Sequence, residues 1–575
     1  MFKLFKKYLR PYLGLLFASV ILIGIEAISQ LILPDIMANI VNEGIMNSNI
    51  PYIFQEGAKM LLVSILSGAC LVASGLFSAK AGMGFGKDTR RAIFQKVETF
   101  MPSEFDKFGA SSLITRTTND VTQVQNSIIM MLRAMVSGPF MLIGGVISIT
   151  RYDYTLTGVL LCAVPLLFML FYFISKNATP IFKSMQKKID KLSLVFREYL
   201  TGIRVIRAFD REKDEQRRFK EASWDLAKSS MKAHRIMSLN MPGMMLLMNF
   251  TSIFIVWVGA KSINRLNMQV GDLMAVIQYA TQIMGSLMMF GLLFVMIPRA
   301  SVSASRINEV LEQNPSITNE GNMKIGDIKT GEVLSFENVT FYYPGAESPV
   351  LENITFTACR GETVAIVGGT GSGKSTLVNL IPRFYDVTEG SIKINGVDIK
   401  KIPQDELRKS LGVVPQKALL FSGTIKDNIL FGKEDATDEE VINALKISEA
   451  WDFVKNLPGG INSFVSQGGT NYSGGQKQRL SIARALVRKP AIYIFDDSFS
   501  ALDAKTDANL RRNLREVLKD STIIIVAQKI TSIMDADKII VLDEGKIAGI
   551  GKHDELYNIC STYREIVDSQ IRREG

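Results

Sequence analysis

Cysteine is rare in this chain of 575 residues: Cys70, Cys162, Cys359 and Cys560 are the four. None has metal-ligand spacing and two lie in apolar stretches, so reduced thiols are expected rather than a disulfide framework. Histidine is scarcer still, with only His234 and His553. No cleavable signal peptide is legible, because the first apolar stretch is too long and no small-residue cleavage pattern follows it. Acidic residues fall short of basic ones, 56 against 66, which leaves a net charge of +10 and a pI near 9.2. Lys and Arg flanking membrane spans account for that excess, so no nucleic-acid partner is inferred.

Apolar residues make up 47% of the chain and the mean hydropathy is +0.17. That is high for a soluble enzyme and low for an all-membrane chain, so a half-and-half protein fits. The length allows three or four domains. Six apolar stretches long enough to cross a bilayer occupy residues near 12–34, 57–82, 127–150, 154–176, 241–263 and 270–298. The joints near 41–50, 151–153 and 262–269 are short and hold few basic residues, whereas those near 83–126 and 177–240 are long and rich in Lys and Arg. The positive-inside tendency puts the long joints, the N-terminus and everything after 298 in the cytoplasm. Apolar residues at helical spacing through 189–219 (Leu192, Val195, Tyr199, Ile203, Ile206) predict helical extensions of the spans. Each extension is expected to turn back through a short helix, one near Ser112–Asp120 and one near Tyr199–Phe209.

Within the spans, Glu26 and Gln30 lie one turn apart in the first. An ionisable group at that depth faces a cavity or a polar partner. Substrate contact and an inter-helix hydrogen bond both remain open for it. Met284 and Met288 belong to a methionine-rich pair of final spans, where flexible thioethers suit either varied apolar ligands or ordinary packing. These four residues are the candidate substrate-cavity set. Residues 308–332 break periodicity, so the expected division is a membrane domain at 1–307, a linker at 308–332 and a soluble domain at 333–575.

The soluble part is organised around Gly368-Gly369-Thr370-Gly371-Ser372-Gly373-Lys374-Ser375-Thr376, which follows a buried-strand pattern and precedes a helical one. That context is what a P-loop requires. Glycines let successive backbone N–H groups turn onto phosphate oxygens, and the helix N-terminus adds partial positive charge. Lys374 should reach the β- and γ-phosphates of ATP and the Ser375 hydroxyl should ligate Mg2+.

Downstream, Tyr472-Ser473-Gly474-Gly475-Gln476 resembles the signature motif of ATP-binding cassette (ABC) proteins. Other parts fall in that family's order. Tyr343 resembles the aromatic that stacks on adenine, Gln416 the Q-loop glutamine, and Ile492–Asp496 the Walker B strand. Ser500–Asp503 resembles the D-loop, and Gln528 occupies the switch position. Asp120 and Glu198–Gly202 fall where the family's cytoplasmic loops carry coupling helices. The resemblance covers essentially the whole chain and is to a half-transporter of the ABC exporter type. It implies an α-helical membrane domain of six spans with long cytoplasmic extensions plus an α/β P-loop ATPase domain. It also implies that Asp496 holds Mg2+ through water and that Gln416 ligates or senses the metal. Ser473, Gly474 and Gly475, with Gln476, would close on the ATP of a second cassette, so a dimer is implied.

Two positions depart from the pattern. The catalytic glutamate after Walker B is Asp497, whose carboxylate recedes by about 1.5 Å, one C–C bond. The switch histidine is Gln528, which donates a hydrogen bond but takes no positive charge, and neither His234 nor His553 replaces it. The expectation is a heterodimer with unequal sites. In it this chain binds ATP but hydrolyses it slowly, and its intact signature completes the competent site of a second half-transporter chain. The alternatives are a slow homodimeric exporter, a non-catalytic regulatory subunit and an importer on the exporter plan. The expected setting is multi-pass, amid membrane lipid, in the cytoplasmic membrane of a bacterium. The expected cargo is a small amphipathic compound; no peptidase-like domain precedes the first span, which argues against processed peptides.

Overall fold

The computed structural model describes residues 2–266, 268–317, 319, 321–326 and 331–574. They form two compact units: residues 1–98 with 110–313, and residues 99–109 with 314–575. The first is helical and the second is α/β, which is the expected fold class.

In the first unit, five helical stretches among the described residues are long and apolar enough to cross a membrane: Phe2–Ile45, Ile50–Glu98, Ala110–Tyr152, Tyr154–Ala208 and Glu212–Asn264. The sixth expected span lies on the helix Val270–Glu312, which has 43 residues. The 55-residue helix Tyr154–Ala208 extends for roughly 80 Å at 1.5 Å per residue, well over twice the hydrocarbon thickness, so its far half stands in water. Asp153 starts it: the extended backbone (φ −159°, ψ 127°) breaks the previous helix, and its carboxylate accepts from the Thr155 N–H at 2.7 Å. Inside the unit, one set of polar groups meets across the helices, pairing that hydrocarbon favours. Tyr279 shares its one hydroxyl proton between the Leu31 carbonyl at 2.7 Å and Asp35 Oδ1 at 2.6 Å, and Tyr152 donates to the same Asp35 oxygen at 2.7 Å. At Gly145 an added Cβ would sit 2.6 Å from the end of the Ile283 side chain, so the glycine gives that side chain room between the helices.

The turn-back helices differ from expectation. The first is Pro102–Phe108, not 112–120, and it packs with the α/β unit: Glu104 accepts from the Ser316 N–H at 2.8 Å, and the Met101 sulfur lies 3.6 Å from the Arg408 guanidinium. Gly109, at φ +74°, ends it. Asp120 is instead buried on the helical unit, accepting from Ser303 at 2.7 Å. No separate helix forms at 199–209, because Tyr154–Ala208 runs straight through it and the chain turns at Phe209–Arg211. The last membrane helix likewise continues to Glu312, through the first residues of the expected linker. Residues 318, 320 and 327–330 of that linker lie outside the described residues.

Twelve strands follow among the described residues: β1 (Glu332–Phe341), β2 (Leu351–Cys359), β3 (Thr363–Gly368), β4 (Glu389–Ile394), β5 (Val397–Asp398), β6 (Leu411–Val414), β7 (Gly423–Thr424), β8 (Phe464–Val465), β9 (Ile492–Asp496), β10 (Thr522–Val526), β11 (Lys538–Asp543) and β12 (Lys546–Gly551). An antiparallel sheet has the order β2-β1-β4-β5, and β7 pairs with β8. The central sheet has the order β12-β11-β3-β10-β9-β6, parallel except for β12 at its edge. Apart from the edge strand β12, its strands are largely buried on both faces, hence their continuous apolar runs. Alternation decides which face each residue serves. Val364, Ile366, Ile524, Val526, Ile540 and Leu542 enter one core, while Ala365, Val367, Ile523, Ile525, Ile539 and Val541 enter the other.

Candidate nucleotide site

The parallel strands β3 and β9 flank β10, and the site grows from their C-terminal ends. β3 stops at Gly368, and the helix Lys374–Leu380 begins after the exposed Gly369-Thr370-Gly371 and the buried Ser372. A Cβ at Gly368 would lie 2.2 Å from the Leu542 carbonyl. Gly373 takes φ +95° at the helix N-cap, a conformation that disfavours other residues. Lys374 folds back on the loop, its Nζ donating to the Gly368 and Gly369 carbonyls at 2.9 and 2.6 Å. Burial lowers the proton affinity of this amine, against the pull of the Asp497 and Asp496 carboxylates.

Ser375 Oγ donates to Asp496 Oδ1 at 3.3 Å. Asp496 closes β9 and is buried, and burial raises its carboxyl above the usual range; the Ser375 bond opposes this and the Asp497 charge adds to it. A hydroxyl and a carboxylate converging beside a lysine are hard oxygen donors, a set that fits Mg2+. Tyr343 shares a 3.0 Å hydrogen bond with Thr376 and packs edge-on against Phe341 and Tyr385, with centroids 5.0 and 5.3 Å away. Tyr385 carried no motif by which the sequence could point to it.

Asp497 is the junction of the site. Its backbone lies in the left-handed region (φ 47°) and its N–H donates to the Val526 carbonyl at 2.9 Å. Its Oδ2 accepts from Gln528 Nε2 at 3.0 Å and from Gln416 Nε2 at 3.3 Å. The amide nitrogens must face the carboxylate, since the amide oxygens would repel it. Gln416, expected at the metal, therefore rests on Asp497 in this structure.

The signature residues form a capping box at the start of the helix Gly474–Leu486. Ser473 Oγ accepts from the Gln476 N–H at 3.3 Å, and Gln476 Oε1 accepts from the Ser473 N–H at 2.9 Å. Ser473 and Gly474 are exposed. Their helix N-terminus therefore faces solvent and offers free N–H groups to an anion from outside.

In the membrane unit, Glu26 is buried, accepts from Gln30 Nε2 at 3.1 Å and pairs with Arg133 at 3.6 Å. Arg133 was not singled out in the sequence, because it lies on a different helix. Met284 is packed in that unit's apolar core at 1% exposure, and Met288 flanks the core.

A helical membrane unit and a P-loop ATPase unit in one polypeptide define a nucleotide-driven membrane transporter. Residues 13–287 match the family model of the ABC transporter transmembrane region, and residues 351–500 match the model of the ABC transporter proper. The chain belongs to the ABC transporter family: it is an integral membrane protein of exporter type, with an ATP-binding and ATP-hydrolysing domain. An uncharacterised ABC transporter ATP-binding protein of Mycobacterium tuberculosis is 41% identical over 570 residues, covering 99% of this chain and 98% of the relative. A probable multidrug resistance ABC transporter ATP-binding/permease protein of Bacillus subtilis is 35% identical over 490 residues, covering 84% and 83%. Among solved structures, a bacterial Atm1-family ABC exporter with ATP bound superposes with a TM-score of 0.75 at 26% identity, covering 98% of this chain and 99% of that one.

Proposed function

We propose that this chain is one half of a heterodimeric exporter of amphipathic compounds, contributing a site that binds ATP tightly and hydrolyses it slowly. Half-transporters of this family function as dimers. What carries the proposal is Asp497: a carboxylate one methylene short, with Oδ2 engaged by Gln528 and Gln416 at 3.0 and 3.3 Å. A general base must reach the attacking water, and its efficiency falls steeply with misplacement. Gln528 offers a hydrogen bond where the family has a group able to carry positive charge.

Binding is a separate matter. Lys374 Nζ exchanges its two carbonyl partners for phosphate oxygens, the loop N–H groups hold the remaining phosphate charge, and Tyr343 supports the base. Ser375 and Asp496 would hold Mg2+, which would supply neutralisation of phosphate charge. The exposed Ser473–Gln476 helix start serves the partner's ATP. The partner chain carries the glutamate and the histidine that this one lacks. ATP-driven closure of the two cassettes then turns the membrane cavity outward. Glu26, Gln30 and Arg133 give the membrane unit a polar cluster among apolar helices, which suits amphipathic cargo; the multidrug description of the Bacillus relative supports the same class. The setting is the cytoplasmic membrane of a bacterium, a reading the bacterial relatives support.

The test is ATPase and transport in liposomes, with the chain alone and with its partner. Low turnover alone and high turnover together are expected. Full-speed pumping by the lone chain refutes the proposal.

A further inference from the structure

We infer that Gln570, on the C-terminal helix Ser561–Glu574, is a positioning residue that sets the switch glutamine against Asp497. Its Nε2 donates to the Gln528 carbonyl at 2.7 Å and its Oε1 accepts from the Ile530 N–H at 2.9 Å. One carboxamide thus brackets Lys529 and satisfies a carbonyl and an N–H on either side of it. The bracketed stretch has no ladder of its own: β10 ends at Val526, and Ile530–Ser532 is a single 3-10 turn. A cavity of about 280 Å3 lies beside it, lined by Lys529, Ile530 and Met534 from the switch side and by His553, Tyr557 and Gln570 from the C-terminal side. Packing on that side is therefore incomplete, and a directional hydrogen-bonded clasp substitutes for it. The consequence reaches the site because the Gln528 side chain is the 3.0 Å donor to Asp497. Fixing the Gln528 backbone from behind limits where its amide can point in front. The C-terminal helix, which carries no recognised motif, thereby becomes part of the machinery that sets the reactive carboxylate.

The clasp itself is independent of the rate at this site; only its effect on turnover rests on the unequal-sites proposal. The experiment uses the full chain with its partner and two variants. Gln570→Met keeps the length and removes both bonds. Gln570→Glu keeps the acceptor for Ile530 and loses the donor to Gln528. Hydrogen exchange at the Ile530 amide is expected to speed up about tenfold in Gln570→Met, the loss of one net hydrogen bond, and much less in Gln570→Glu. Exchange in β3 and β9 is expected to stay unchanged. Phosphate release from this chain's site is expected to rise in Gln570→Met, as the hold of Gln528 on Asp497 loosens, with no further change when Gln570→Met is added to Gln528→Ala, since one acts through the other. Unchanged exchange at Ile530, an equal rise throughout the domain, or additive effects in the double variant would overturn the inference. Wild-type release as fast as at an ordinary site, with the exchange pattern as expected, would leave the clasp standing and remove the unequal-sites proposal instead.

Discussion

Lengthening Asp497 to glutamate is the sharpest perturbation of the site. The extra methylene carries the carboxylate forward by about 1.5 Å. Gln528 and Gln416 now reach Oδ2 at 3.0 and 3.3 Å, and a shift of that size takes at least one of them out of hydrogen-bond range. The bond lost is charge-assisted, worth about 1.5–3 kcal/mol, and its loss frees an acceptor for water. A well-placed general base contributes about 10²–10⁴-fold. Asp497→Glu is therefore expected to raise phosphate release at this site by about 10²-fold, the lower end, because Gln528 still supplies no positive charge. Adding Gln528→His is expected to raise it further. The assay is single-turnover phosphate release from the assembled pair, with the partner's catalytic glutamate changed to glutamine so that the partner's ATP stays bound but uncut. A wild-type rate equal to that of Asp497→Glu would refute the reasoning, because the short carboxylate would then not be limiting.

Ser473→Ala removes the N-cap, a local loss of about 1 kcal/mol, and is expected to abolish turnover of the pair while ATP binding by this chain, followed by calorimetry, is unchanged. Gly368→Ala drives a Cβ to 2.2 Å from the Leu542 carbonyl and must part β3 from β11; a loss of at least about 2 kcal/mol is expected in thermal melting. Burial raises the Asp496 carboxyl, so its charge penalises the nucleotide-free fold above that raised value. Asp496→Asn is thus expected to raise the melting temperature in full at neutral pH, with the gain shrinking as pH falls through the raised value and vanishing below the ordinary carboxylate range. Glu26→Gln leaves Arg133 without its carboxylate inside the membrane and is expected to cut transport of cationic compounds while ATP binding holds, as a dye-efflux assay would show.

Sequence alone determined whatever depends on neighbours along the chain. Apolar runs of bilayer length, the strand–glycine loop–helix order around Lys374, and the Tyr472–Gln476 signature are all local patterns. Their causes, helical rise, backbone sterics and hydrogen bonds within a few residues, act over the same short range. Tertiary structure decided what side chains do once distant segments meet. It moved the first turn-back helix to Pro102–Phe108, where Glu104 finds the Ser316 N–H some two hundred residues on. It paired Glu26 with Arg133, packed Met284 into a core, and drew Gln416 and Gln528 onto one oxygen of Asp497. A polar side chain's partner is whichever complementary group the packed apolar cores leave within about 3 Å, and that distance is written in no stretch of sequence.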